Sequence, residues 1–269
     1  MSHYQTVMNL ALVHVLVPFV LCVVFANTSL FDEVEVGLSY EHYAEKRVDY
    51  LPAFLAMPCN CVVNLGYVFI GLYWLLWPRG VRDTEPGRYM RQVFAFMAVF
   101  YAPVQWTRLA VLQRAPAVLD QWFTLPIFAW VPVWIDFIER GPVKWRGSHA
   151  AALELVSIFS YGLALLHARG FEAALACHVA IAVYKGVRVQ QELGDGLTRR
   201  YLQLAVLSCA GFVLLKLLDH WLARYRLFQR LTGHFWSKVC DVLQFHFSFC
   251  FLSRLTQRTH EMAAAQHSD

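Results

Sequence analysis

The 269-residue chain is 58% hydrophobic and only 16% charged, with a mean hydropathy of +0.43. A soluble domain runs nearer roughly 45–50% apolar and about 25% charged, so too little polar surface is present to coat a soluble globule. The net charge of +4 comes without a dense basic tract, which excludes nucleic acid as a partner; the composition likewise excludes disorder.

Spanning the hydrocarbon core takes about 20 mostly apolar residues. Eight such runs lie over 8–27, 52–77, 91–113, 118–138, 150–167, 171–189, 201–222 and 234–253. They are continuous rather than alternating, which predicts helices and not strands. The expected fold is all-α: a single polytopic membrane helix bundle of about eight transmembrane helices over 1–253, followed by a short cytosolic tail over 254–269. Segment 8–27 reads as a retained helix. No Lys or Arg precedes it, and Val23-Val24-Phe25-Ala26 is a poor signal-cleavage site. Arg169 before Gly170 marks a turn between the fifth and sixth segments.

Loop charges predict the orientation. Arg79, Arg82, Arg88, Arg91, Arg140, Lys144, Arg146, Lys185, Arg188, Arg199, Arg200, Arg254 and Arg258 fall on one side. Lys46, Arg47, Arg114, Arg169, Arg224, Arg226 and Arg230 fall on the other. The first side is expected to be cytosolic, with both termini on it and the acidic 28–50 loop in the lumen. Asn27-Thr28-Ser29 is a glycosylation sequon on the luminal side, close to the membrane. The seven cysteines all lie in apolar stretches and read as packing residues rather than a disulfide framework. Trp74, Trp77, Trp122, Trp145 and Trp221 lie near segment ends, which suggests an interfacial aromatic belt. His260-Glu261 does not extend to a metalloprotease motif, because Ala264 stands where the second histidine belongs.

Ionisable groups inside a bilayer are expensive and usually face a bundle interior, so they mark the candidate site. Asn64, Arg108, Asp120, Asp219, His220, His234, Lys238 and Asp241 are the candidates, with Asn60, Gln105, Asp136, Glu154, His178, Lys216, Gln244 and His246 as further intramembrane polar residues. The ends carrying Arg108, Asp120, Asp219, His220 and His234 should meet on the luminal side. Asp136 and Glu154 lie toward the cytosol and are expected to pair with loop arginines. In the last segment His234, Lys238 and Asp241 share one helical face, Gln244 or Phe245 continues the stripe, and Lys238 and Asp241 are close enough to pair. Such a stripe serves either as a helix–helix polar lock or as the wall of a polar cavity.

Several stretches resemble the transmembrane protein 187 family. They are Tyr40-Glu41-His42-Tyr43-Ala44-Glu45, Leu51-Pro52-Ala53-Phe54-Leu55-Ala56-Met57-Pro58, Val118-Leu119-Asp120-Gln121-Trp122, Tyr161-Gly162-Leu163-Ala164-Leu165-Leu166-His167 and the run 231–247. The resemblance covers nearly the whole chain. It implies a multi-pass protein of internal membranes, Golgi and vesicles, without an established activity. The helix order is also similar to that of the seven-helix alkaline ceramidases and adiponectin-type receptors, which implies a seven-helix core from 52–77 onward with segment 8–27 added. That architecture implies a zinc site in which Asp120 and His234 match an aspartate and a first histidine, and Asn60 and Asn64 match a polar pair on the first core helix. Ala102, Trp106 and Lys238 stand where a serine and two histidines would be. No metal or other cofactor is therefore expected, and Lys238 is the candidate substitute for the missing positive charge, paired with Asp120 or Asp241.

The function expected is that of a non-catalytic membrane protein with a polar intramembrane cavity that takes a small lipid or a partner, with membrane lipids as its surroundings. The alternatives are an intramembrane lipid-amide hydrolase and a transporter or receptor. Ser237 beside Lys238 is a weak dyad, because neighbouring helical residues point about 100° apart. No inverted repeat is visible in support of transport.

Overall fold

The computed structural model describes residues 3–76 and 84–266. Every regular element in them is helical. In order they are α1 (His3–Ala26), α2 (Pro58–Val63), α3 (Leu65–Leu76), α4 (Glu85–Val111), α5 (Arg114–Lys144), α6 (Gly147–Ser160), α7 (Leu163–Leu166), α8 (Gly170–Leu193), α9 (Gly196–Leu217), α10 (Asp219–Leu222) and α11 (Gly233–Gln266). Short 3-10 turns at Ser29–Phe31, Tyr40–His42, Ala53–Leu55 and Arg226–Phe228 shape the connections. Read as rods, these make the expected all-α bundle of eight long helices.

Among the described residues six rods are long and apolar enough to cross a membrane: 5–26, 58–76, 114–142, 147–166, 170–193 and 196–217. The other two, α4 and α11, carry more polar residues because they lie inside. The Met90, Val93, Ala95 and Ala98 side chains of α4 and the Phe249, Leu252 and Leu255 side chains of α11 are fully buried. α4 packs against α1, α3 and α5, and α11 packs chiefly on α9. The outer helices α1, α6, α8 and α9 turn Val17, Val20, Phe159, Tyr184 and Leu207 outward, the pattern of rods bathed in hydrocarbon.

Breaks have local causes. The rod 58–76 is interrupted at Asn64, whose side-chain N–H donates to the Asn60 carbonyl at 2.9 Å and competes with regular helix bonding. The short segment α7 ends at His167, and α8 starts so close to it that a Cβ on Gly170 would lie 1.8 Å from the Leu163 carbonyl oxygen. Only glycine permits that return. The α5 kink falls at Gly141 (φ 69°), just before Pro142, whose ring disfavours helix in the residue before it.

The structure extends or corrects several expectations. α11 runs on to Gln266, so 254–266 is helix rather than a loose tail. Thr256 accepts the Trp134 indole N–H at 3.0 Å, and Arg258 donates to the Leu193 carbonyl at 2.9 Å. Trp74 and Trp122 are buried, stacked on Phe249 at 4.9 Å and Tyr161 at 5.4 Å between ring centroids; they are core residues and not belt residues, while Trp221 is exposed. Trp77, Arg79 and Arg82 lie outside the described residues. Asp136 pairs with Arg140 at 2.7 Å as expected. Glu154 instead binds His14 of α1 at 2.7 Å. All seven cysteines are free thiols.

Candidate functional site

Two helix ends come together because α4 and α5 are joined by only Leu112 and Gln113. Leu112 takes the left-handed conformation (φ 50°) and its N–H closes α4 on the Arg108 carbonyl. The resulting antiparallel hairpin puts Arg108, one turn before the end of α4, opposite Asp120, near the start of α5. Both side chains are more than nine-tenths buried and form an ion pair through Arg108 Nη1 and Asp120 Oδ2. The other carboxylate oxygen accepts from Gln105 Nε2 and from the Tyr101 hydroxyl at 3.2 Å. Thr124 closes the ring, 3.1 Å from the Tyr101 oxygen.

α11 brings the second half. Lys238 Nζ donates to Gln105 Oε1 at 2.5 Å and sits 5.5 Å and 5.7 Å from the ring centroids of Tyr101 and Tyr67, a cation–π position. Asp241 accepts the Tyr67 hydroxyl at 2.5 Å. The expected Lys238–Asp241 pair is thus replaced by two neutral go-betweens, Gln105 and Tyr67: within 4.0 Å, among the described residues, Lys238 touches no carboxylate. Two cations and two carboxylates in one buried cluster still balance, and each charged side chain bonds another member. Counting about 1.5 Å per residue from the nearest helix ends, the cluster lies roughly 5–14 Å below the end that carries the 28–57 loop.

That loop covers the cluster. Asp219 accepts the Ala44 N–H at 2.9 Å and the His234 N–H at 2.7 Å, so one carboxylate ties loop, α10 and α11 together. The Tyr43 ring meets the His234 ring edge-on at 4.9 Å. Glu45 accepts the N–H groups of Cys59 and Asn60, both at 2.8 Å, and so satisfies the first turn of α2, whose Pro58 has no N–H to offer. Burial raises the Glu45 carboxyl above its ordinary value, while those two N–H groups pull it back. Trp106 donates its indole N–H to the Phe54 carbonyl at 2.7 Å, and Arg114 donates to Val34 at 2.6 Å.

Asp219→Ala is accordingly expected to release the loop. Each bond to a charged acceptor is worth about 1.5 kcal/mol or more, so trypsin cutting at Lys46 or Arg47 in reconstituted protein should accelerate at least about tenfold. Digestion at the parental rate would show that the loop is held by other contacts.

The predicted residues therefore divide. Arg108, Asp120, Lys238 and Asp241 form the cluster. Asp219 and His234 form its cover. His220 is exposed, its ring 3.4 Å from the His42 carbonyl, and lies at the rim. Asn64 bonds within its own helix. Asn27 is exposed, its amide folded back on the Val23 carbonyl at 2.8 Å. Lys216 lies over the Phe212 ring, and His178 bonds the Ala174 carbonyl one turn back. Tyr67, Tyr101 and Glu45 went unrecognised in the sequence. So did His14, which lies in the middle of the first apolar run and bonds Glu154 and Tyr89; an isolated imidazole in such a run was a readable signal.

The positions that match a zinc site do not fit the ion. Ala102 has no donor atom, the Trp106 indole is committed to Phe54, and Lys238 presents an ammonium to Gln105. Among the described residues no group of three His, Cys, Asp or Glu side chains is placed to hold a metal.

Comparison with known proteins points one way. The model of the TMEM187 protein family matches residues 11–253. "Transmembrane protein 187" of Homo sapiens is 56% identical over 243 residues, covering 90% of this chain and 91% of the human protein. "Transmembrane protein 187" of Bos taurus is 52% identical over 249 residues, covering 91% of this chain and 96% of the bovine one. No solved structure matches the chain.

Proposed function

Because the chain belongs to the TMEM187 protein family, a family of membrane proteins, we propose that it is a non-catalytic multi-pass protein of Golgi and vesicle membranes that binds a small lipid or a partner. The observation that carries this reading is that each charged side chain of the cluster is bonded inside it, Arg108 to Asp120, Lys238 and Asp120 to Gln105, and Asp241 to Tyr67. A nucleophile or general base has to present a reactive atom to substrate. Here those atoms lock α3, α4, α5 and α11 together beneath a loop.

The orientation follows from charge. The ends holding Arg140, Lys185, Arg254 and Arg258 meet through Lys185–Glu139 at 3.1 Å and Arg258–Asp195 at 3.4 Å, and this basic end is assigned to the cytosol with both termini. The 28–57 loop then faces the lumen.

The test uses the full chain purified in mild detergent, with Asp120→Ala and Lys238→Ala in parallel. Lipid enriched over the surrounding extract, without hydrolysis of a fluorescent ceramide, is the expected result. Ceramide hydrolysis by the parent that both folded variants lose would establish the hydrolase instead. Tagged protein found outside Golgi and vesicle membranes would remove the assigned location.

A further inference from the structure

α8 and α9 form a hairpin closed at Gly194 and Asp195 and leave a groove between them. Small residues, Ala182 and Gly186 on α8 and Ala205 and Cys209 on α9, leave space between walls otherwise lined by valine, leucine and phenylalanine side chains. Gln244 and Ser248, one turn apart on α11, form the polar part of its floor. The groove holds about 50 Å³. That exceeds the roughly 10–15 Å³ a single water needs, yet the slot is far too slender for a helix roughly 10 Å across. Ile181 and Leu207 on the same two helices are exposed to the bilayer.

Gln244 is 9% exposed, and its carbonyl oxygen is buried without a hydrogen-bond partner. It lies about 16 Å along α11 from Gly233 at 1.5 Å per residue, near the middle of a hydrocarbon core about 30 Å thick. An unmet carbonyl oxygen at that depth is unfavourable. A phospholipid headgroup stays at the interface and cannot reach it. The lipid that can come to this amide from the groove it lines is one whose only polar group is small and uncharged.

We propose that this groove is a binding site for a neutral lipid alcohol, whose hydroxyl bonds the Gln244 amide and the Ser248 hydroxyl while its chain lies between α8 and α9. Resting on the lipid-binding reading above, this inference adds the place and the ligand class. The unmet atom is the amide's carbonyl oxygen, an acceptor, so it matches a hydroxyl, which donates. The groove brings no cation to compensate an anionic head, so a fatty acid is the poorer match.

The experiment is photolabelling of the full chain in phosphatidylcholine nanodiscs with a diazirine- and alkyne-bearing long-chain alcohol. The corresponding fatty acid and phosphatidylcholine probes run beside it. The expected result is alcohol label in the 179–186, 202–209 and 244–252 peptides, competed by unlabelled alcohol. Gln244→Leu should reduce that label about fivefold, the effect of about one hydrogen bond. In lipid-free detergent Gln244→Leu should melt no lower than the parent, since it removes an unmet polar group. Equal label in parent and variant, equal label by the phosphatidylcholine probe, or a lower melting temperature for the variant would overturn the site. Competed label confined to other helices would overturn the site while leaving the lipid-binding reading in place; no competed label anywhere would remove both.

Discussion

Asp120→Asn is expected to lower the stability of the protein by about 3–5 kcal/mol, the usual result of removing one partner from a buried ion pair. The reason is local. Asp120 is the acceptor for Arg108, Gln105 and Tyr101 at once. An asparagine carries one oxygen and no charge, so Arg108, itself 7% exposed, is left as an uncompensated cation in a medium that solvates it poorly. The Arg108 Nε atom already lacks a partner, which leaves little capacity to absorb the loss. Thermal unfolding in detergent, followed by a thiol-reactive dye on the buried cysteines, should show a shift of roughly 10 °C. Adding Arg108→Met to Asp120→Asn should recover part of it, since the cost lies in the stranded charge and not in the missing contact. A single variant that melts with the parent would mean that α4 and α5 are held by their apolar packing alone.

The second large effect is expected at Lys238. It is 3% exposed and reaches Gln105 rather than a carboxylate. Lys238→Met keeps the volume and apolar stem but withdraws the cation that lies nearest Asp241 through the Tyr67 ring. Asp241 then keeps one hydrogen bond, from Tyr67, and no compensating charge of its own. A loss of about 2–4 kcal/mol is expected. Asp241→Asn in the same chain should restore much of it, because the amide oxygen still accepts from Tyr67 at no electrostatic penalty. Asp120→Asn should not rescue Lys238→Met, since Asp120 has Arg108. That selectivity separates the arrangement seen here from a lysine shared equally between both carboxylates. Equal rescue by either change would show that the go-between residues play no part in dividing the charges.

The two expectations show which parts of the site were legible in the chain. Arg108, Asp120, Lys238 and Asp241 stand out because a charged residue in an apolar run is rare and needs an internal partner. Which partner is another matter. Lys238 and Asp241 are one turn apart on α11, and helical spacing alone favours their pairing. The side chains of Gln105 and Tyr67 arrive from α4 and α3 and intervene. Tyrosine carries no such signal, because its ring suits the core whether or not its hydroxyl has a partner. Glu45 could not be read either: the N–H donors it accepts from, those of Cys59 and Asn60, are brought to it by the fold of the 28–57 loop. The aromatic belt fails for a similar reason. A tryptophan at a segment end suits the interface or a helix contact equally, and Trp74 and Trp122 take the contact.

By itself the sequence determined the solvent, the secondary structure and the number of long rods. These follow from summed properties, since a continuous apolar run of about 20 residues has no alternative in lipid to a helix that satisfies its own backbone. It also determined that charges are buried, because their transfer cost does not depend on neighbours. Only the tertiary structure decided which charge meets which group, that α4 and α11 lie inside, that the last helix continues to Gln266, and that Gln244 is left facing a groove. Those outcomes depend on distances between residues far apart in the chain, set by the Leu112–Gln113 turn, the close return at Gly170 and the anchoring of the 28–57 loop by Asp219.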